Sequence, residues 1–195
     1  MTLLDRTAPE TLTQTPIPVL KTARLILRAP RFEDAEAIAA LVNDRRIAEN
    51  TSRIPHPYGL ADAQAFLTAA GTHDGEIAFM ICSTSGGIVG CCGIAKLDGE
   101  TPEIGYWLGV PFWGKGYATE AARALIDHAF GALGYGTLLA GARVSNPASR
   151  RVLEKCGFQW TGVGLYRIRA LASSAPCDRF RLDRGPWAHS PRRRA

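Results

Sequence analysis

PFWGKGYATEAARALIDHAF, residues 111–130, sets two glycines around Lys115 and runs straight into an alanine-rich segment. The stretch before it, TPEIGYWLGV (101–110), alternates with the two-residue period of a strand. Ile104, Tyr106, Leu108 and Val110 fall on one face, and Glu103, Gly105, Trp107 and Gly109 on the other. Behind the glycines, Ala118, Ala122, Leu125 and Ala129, with Ile126 beside them, form an apolar stripe at helical spacing, which predicts a helix over about 116–131. Strand, glycine turn and helix in that order aim backbone N–H groups at a common point. First-turn amides have no helical acceptor, and the helix dipole adds roughly 0.3–1 kcal/mol for a nearby negative group. Gly114 and Gly116 present no side chain to block approach, so the segment reads as a phosphate or pyrophosphate site, with a tight structural turn as the alternative.

Two familiar phosphate loops can be set aside. No G-x-x-x-x-G-K-[ST] run occurs, and GKGYAT lacks the third glycine of a dinucleotide fingerprint and lies past the middle of the chain. Working outward, ARLILRAP (23–30) alternates Leu25 and Leu27 against Arg24 and Arg28 as a half-buried strand that Pro30 stops. RFEDAEAIAALVND (31–44) spaces Ile38, Leu41 and Val42 for one helical face. A second helix is predicted over 61–70, capped by Asp62 and burying Phe66 and Leu67. The Pro-containing stretch between these helices, 45–59, reads as a loop. EIAFMICS and GGIVGCCGIAKL read as two strands joined at Gly86-Gly87, and GTLLAGARV (136–144) as another. NPASRRVLEKCGF (146–158) is a punctuated helix: Asn146 caps it, Pro147 fits its first turn, Gly157 suits its left-handed end, and Val152, Leu153 and Cys156 face inward. Strands around 158–163 and 176–183 complete the domain.

The 195 residues fit one domain spanning 22–183, after a loose arm over 1–21 and before a basic tail over 184–195. Hydrophobic residues at 46% and charged residues at 21% give an ordinary globular balance, with no apolar run long enough for a membrane span and no signal-peptide order, so a cytoplasmic location is expected. The formal charge of +5, much of it in Arg192, Arg193 and Arg194, suits an anionic ligand without naming one. No zinc finger or aromatic RNA-binding pattern points to sequence-specific nucleic acid. Five cysteines show no C-x-x-C or metal spacing and read as small apolar residues, so neither a disulfide framework nor a metal is expected.

WGKGYA (113–118), ending in Gly116-Tyr117-Ala118, resembles the acetyl-coenzyme A pyrophosphate loop of the GCN5-related N-acetyltransferases. GYWLGVPFWGKGYATEA and NPASRRVLEKCGF resemble the subgroup that acetylates N-terminal alanine or serine of ribosomal proteins, over roughly 22–183. Trp113 departs from the Gln or Arg usual in the broad family. The resemblance implies a mixed α+β fold: a mostly antiparallel central sheet, flanked by helices and splayed between the strands near 101–109 and 136–143. Pantetheine would enter that gap, where Gly105 and Gly109 suit close approach and the strand through Leu108 offers its backbone. Trp113, Gly114, Lys115, Gly116, Tyr117 and Ala118 would form the pyrophosphate loop. The amide of Val110 would polarise the thioester, and Asn146, Ser149 and Arg150 would meet the cofactor from the second motif.

The resemblance further implies Glu103 as a base, directly or through water, with a sheet-edge hydrogen bond or ion pair as the alternative. Ser149 would steady the departing sulfur, with simple helix-terminal bonding as the alternative. Asp98 and Glu100 fall in the adjoining turn, and His56, His73 and His128 have no partner spacing that selects them. Cys156, without a paired histidine, reads as a core thiol. Tyr106 and Trp107 point to opposite faces, and Tyr166 is a further acid in principle. The expected activity is acetyl-CoA-dependent acetylation of a primary amine, with a protein N-terminus favoured. A small-molecule amine acetyltransferase and a non-enzymatic acyl-CoA sensor stay open, as do monomer and homodimer.

Overall fold

The computed structural model describes residues 17–70, 76–96 and 101–189. The first half of the chain runs β1 (Leu20–Lys21), β2 (Leu25–Arg28), α1 (Ala35–Val42), α2 (Arg45–Ala48), α3 (Leu60–Ala69), β3 (Ile77–Ser83), β4 (Ile88–Ala95) and β5 (Glu103–Leu108). The second half runs α4 (Tyr117–Gly131), β6 (Thr137–Arg143), α5 (Pro147–Lys155), β7 (Gln159–Ile168), β8 (Ser173–Asp183) and α6 (Arg184–Ala188). His73, Asp98, Glu100, most of the N-terminal arm and the three tail arginines lie outside the described residues. No helix among the described residues is long and apolar enough to cross a membrane.

The strands form one sheet in the order β1-β2-β3-β4-β5-β6-β8-β7, antiparallel throughout except for β5 beside β6. Alternation along the strands divides the apolar residues between two faces. One face carries Leu25, Leu27, Phe79, Ile104, Leu138 and Phe180 and is covered by α4 and α5. Helix α4 buries Ala121, Ala122, Leu125, Ile126, Ala129 and Phe130, and its alanines let it lie close to the sheet. The other face carries Ala78, Met80 and Cys91, covered by Ile38 and Val42 of α1 and Ala63 and Leu67 of α3.

The parallel pair fixes the site. β5 and β6 share only the pairs Glu103↔Leu139 and Ile104↔Ala140. Past them β5 continues to Leu108 and β6 to Arg143, each paired on its outer side but not with the other. A mixed α+β fold with a splayed central sheet is therefore present.

Several local expectations change. Helix α3 begins at Leu60 behind Gly59, and Asp62 is not the cap residue. Its carboxylate sits three positions in and accepts the Gly59 N–H at 3.0 Å, satisfying one orphan amide from inside the helix. The stretch read as a loop opens with α2, because Asp44 accepts the Arg46 N–H at 2.9 Å and caps a single turn. The last two strands are much longer than predicted and pair from Gln159↔Arg181 to Ile168↔Ser173. β1 adds Leu20 and Lys21 to the edge of β2, and Trp187 of α6 packs against the main core while its indole donates to Asp127 at 3.0 Å.

One buried charge holds α1 to the sheet. Arg28 of β2 forks onto Asp34 at 2.7 and 2.8 Å, and Asp34 also accepts the Arg31 N–H at 2.8 Å. Burial alone would raise the Asp34 pKa, but these donors hold it below the ordinary value. A lowered folded pKa stabilises the fold above the unfolded value of about 3.9 and loses that stabilisation as pH falls through the folded value. Asp34→Ala strands a half-buried guanidinium, so thermal unfolding at pH 7 should show a loss on the order of 3 kcal/mol. The deficit relative to wild type should shrink at the acid end; a constant difference down to pH 2 would remove the ionic account.

Candidate active site

The loop after β5 is shaped by backbone conformation. Gly114 has φ +74° and Gly116 φ +81°, both in the left-handed region that side chains disfavour. Gly116 is the N-cap of α4, so the amides of Tyr117, Ala118 and Thr119 emerge without helical acceptors. Glu120 puts a carboxylate in this first turn, where it would compete with a bound anion. It is tied instead to Thr22 at 2.6 Å and to Arg24 through its backbone at 2.9 Å and its guanidinium at 2.7 Å. Burial acts to raise the Glu120 pKa, yet these donors bring it below the usual range. Arg24 also donates to the Lys115 carbonyl at 3.0 Å and stacks on Tyr117 at 4.8 Å, which braces the loop from below.

A cleft of about 1020 Å³ runs from this loop through the β5–β6 gap to the opposite face of the sheet. On the α4–α5 side it is walled by Gly114, Gly116, Tyr117, Ala118, Asn146 and Ser149. Asn146 caps α5 by accepting the Ser149 N–H at 3.2 Å. The Ser149 hydroxyl shares a 2.9 Å hydrogen bond with the Tyr106 hydroxyl. Burial pushes the Tyr106 phenol pKa up, against the opposing effect of Ser149, so the phenol stays protonated across the physiological range.

On the far side of the gap, Glu103 stands over Gly141 of β6. A β-carbon at position 141 would lie 3.4 Å from Glu103 Oε1 and 3.7 Å from the Tyr166 ring, so glycine makes room for both. Burial raises the Tyr166 pKa and the Glu103 charge raises it further, which marks the two as neighbours. Trp107 packs against the α1–α3 cluster on this face while Tyr106 faces Ser149 on the other, as their alternation requires. The cleft touches both because it passes through the sheet.

Not every predicted residue reaches the cleft wall. Leu108 does, but its carbonyl already accepts the Trp113 indole N–H at 2.8 Å. Among the described residues the Val110 N–H meets no acceptor, whereas the Gly109 N–H is taken by Val89 at 2.9 Å. Gly109 is small for packing: a β-carbon there would lie 2.8 Å from Leu41 of α1, while one at Gly105 would meet open space. Lys115 turns its ammonium over the Phe112 ring at 5.7 Å. The Arg150 guanidinium is held by Glu154 at 2.9 Å and Asp178 at 3.3 Å, away from the cleft, and α5 instead contributes Arg151 and Lys155 to the wall. His56 is exposed, His128 lies edge-on to Phe79 in the α4 packing, and Cys156 is buried in the main core. The Tyr106–Ser149 contact, Gly141 and the Arg24 brace were missed. Their partners lie tens of residues away, and only Tyr106 carried a local signal, its place on the apolar face of β5.

The family model of the acetyltransferase (GNAT) domain matches residues 24–159. The chain belongs to the GNAT acetyltransferase family. YoaA of Bacillus subtilis, an uncharacterized N-acetyltransferase, is 31% identical over 75% of this GNAT chain and 85% of its own. Two of the solved structures that share the fold carry coenzyme A. RimL, a ribosomal L7/L12 alpha-N-protein acetyltransferase in complex with coenzyme A, superposes with a TM-score of 0.75 at 17% identity, covering 85% of this chain and 98% of RimL. The spermidine N-acetyltransferase of Vibrio cholerae, in complex with CoA and spermine, superposes at 0.73 and 19% identity, covering 86% of this chain and all of its own (100%). Membership in the GNAT family makes this chain an acetyltransferase in general; its donor and acceptor are questions for the cleft.

Proposed function

We propose that this chain transfers acetyl from acetyl-CoA directly to a protein N-terminal α-amine. One observation carries the reading. A single cleft through the β5–β6 gap joins unpartnered helix-start amides on one face to a carboxylate on the other. Coenzyme A in the RimL and spermidine acetyltransferase structures supports the donor.

The Tyr117, Ala118 and Thr119 amides, with the left-handed turns at Gly114 and Gly116, would hold the pyrophosphate, and Arg151 and Lys155 add positive charge along the same wall. The β5 edge from Gly105 to Leu108, left unpaired by β6, would bond the pantetheine amides. The Val110 N–H would polarise the thioester carbonyl, a contribution of about 2.7–4 kcal/mol for one such donor. Glu103, directly or through one water, would take the proton of the incoming ammonium. As the amine nitrogen bonds to the acetyl carbon and the carbon–sulfur bond breaks, Ser149, with Tyr106 behind it, would donate toward the leaving sulfur.

An α-amine suits a modest base. Its pKa of about 7.7–8.0 leaves roughly a tenth or more neutral at pH 7, unlike lysine at about 10.4. Arg143 and Arg169 add positive charge to the acceptor half, which tells against a polyamine. The test is release of free coenzyme A with peptides beginning Ala or Ser, run beside spermidine, an aminoglycoside and free amino acids. Transfer to the peptides is expected, and failure on every peptide terminus overturns this acceptor.

Ser149→Ala should lower kcat about tenfold with little change in the shape of the pH profile, because the lost group acts on sulfur and not on the amine. Tyr106→Phe should reproduce a fraction of that loss while Ser149 remains. Full kcat in Ser149→Ala would leave the serine with its helix-terminal role alone.

A further inference from the structure

The acceptor half of the cleft contains a guanidinium that the fold does not explain. Arg143 ends β6 on the same face as Gly141 and lines the cleft. Its Nη1 donates to the Glu49 carbonyl at 2.8 Å, but its Nε is buried with no acceptor. No carboxylate among the described residues lies within ion-pair distance of it. Two neighbouring arginines are paired, Arg46 with Asp44 and Arg53 with Glu76, and Arg169, though outside any ion pair among the described residues, is exposed and has no buried orphaned nitrogen. Next along the chain from Glu49, Asn50 lines the same cleft. Its Nδ2 donates to the Arg46 carbonyl at 2.8 Å, while its Oδ1 is buried without a donor. Both side chains line the cleft, and each carries a buried polar atom without a protein partner, a costly arrangement unless a ligand or an ordered water meets it as the side chains adjust.

We propose that Arg143 and Asn50 form a subsite for an acceptor carrying a carboxylate close to its reacting amine. The guanidinium would take the carboxylate, and Asn50 Oδ1 an N–H of the acceptor backbone. The proposal rests on the acceptor reading above and sharpens it. Gly141, against which Glu103 stands, and Arg143 are same-face neighbours on β6, about 7 Å apart along the strand. A free amino acid holds its carboxyl carbon only about 2.5 Å from its amine, whereas the second Cα of an extended peptide lies about 5 Å away and its side-chain carboxylate further still. With Glu103 over one of these positions and the guanidinium rooted at the other, Asp or Glu at the second position of a peptide, behind a small first residue, suits the subsite better than the carboxylate of a free amino acid.

The test measures kcat/KM for Ala-Asp- and Ala-Asn-initiated peptides of otherwise identical sequence, with free amino acids against their amides and spermidine as further arms. Wild type should prefer the acidic peptide at least tenfold, and Arg143→Gln should bring that ratio to within about twofold. Arg143→Lys, which keeps charge but loses the Nε donor, should fall between. The ratio is indifferent to how much of each variant folds, because both peptides meet the same active molecules. Peptides acetylated without acidic preference, or a preference that survives Arg143→Gln, overturn the subsite and leave the acceptor class standing. Carboxylate-dependent transfer to free amino acids alone, lost in Arg143→Gln, keeps the subsite and overturns the peptide. Transfer to spermidine alone, or to nothing offered, overturns both.

Discussion

Gly116→Glu should weaken acetyl-CoA binding at least tenfold in calorimetry while most of the fold survives. Two effects act together. A side chain at φ +81° is strained by about 1–2 kcal/mol, and a carboxylate at the N-cap of α4 replaces an attractive helix end with a repulsive charge. Arg24 offers little relief, because its guanidinium already holds Glu120 and the Lys115 carbonyl. Gly116→Ala separates the two effects, since it carries the strain without the charge and should cost stability more than affinity. Unchanged affinity in Gly116→Glu would put the pyrophosphate elsewhere. His56→Ala, on the exposed stretch before α3, should leave donor binding as it is.

Glu103→Gln should lower kcat/KM by about 100-fold near pH 6.5, the lower range for loss of a general base, with the deficit narrowing to a few-fold above pH 9. The sign follows from the acceptor: below its pKa the amine arrives protonated and must lose a proton, and above it the base has nothing left to do. The amide keeps the size of the side chain, so the Gly141 and Tyr166 contacts persist and donor affinity should not move. A deficit constant from pH 6 to pH 10 would take the base role from Glu103 and leave the proton to water.

The segments around the glycine loop were legible because each local preference agreed with its neighbours. Asn146, Pro147 and Gly157 punctuate α5 as read, with Gly157 at φ +87°. The final hairpin was legible only in part: strands were read around 158–163 and 176–183, but not their full length to Ile168 and back to Ser173. β7 is an edge strand whose Val163 and Leu165 are exposed, so the apolar alternation that marks a buried strand is reversed there. β8 also starts three residues before the predicted strand, and Pro176 fits within it because it lies just past the last β6 pair, Arg143↔Cys177, where β8 no longer needs donors on both sides. The site divides the same way. Spacing marked an anion site at the two glycines and the family resemblance named their neighbours, but Arg150 and Arg151 differ only in which side of α5 they take. That choice is set by Asp178, 28 residues on from Arg150.

The narrow junction between β5 and β6 also divides the chain's own cohesion. The strands on one side of it, β1 to β5, come from a single contiguous run of sequence, and those on the other, β6 to β8, from a second. Each run closes its ladder with contacts that are mostly near in sequence, so each can assemble early as a cooperative unit of its own. Within the sheet only two residue pairs join them; the rest of the join is the shared packing of α4, the Tyr106–Ser149 bond and the Arg143 bond to the Glu49 carbonyl, so side chains around the cleft carry cohesion that the ladder lacks there.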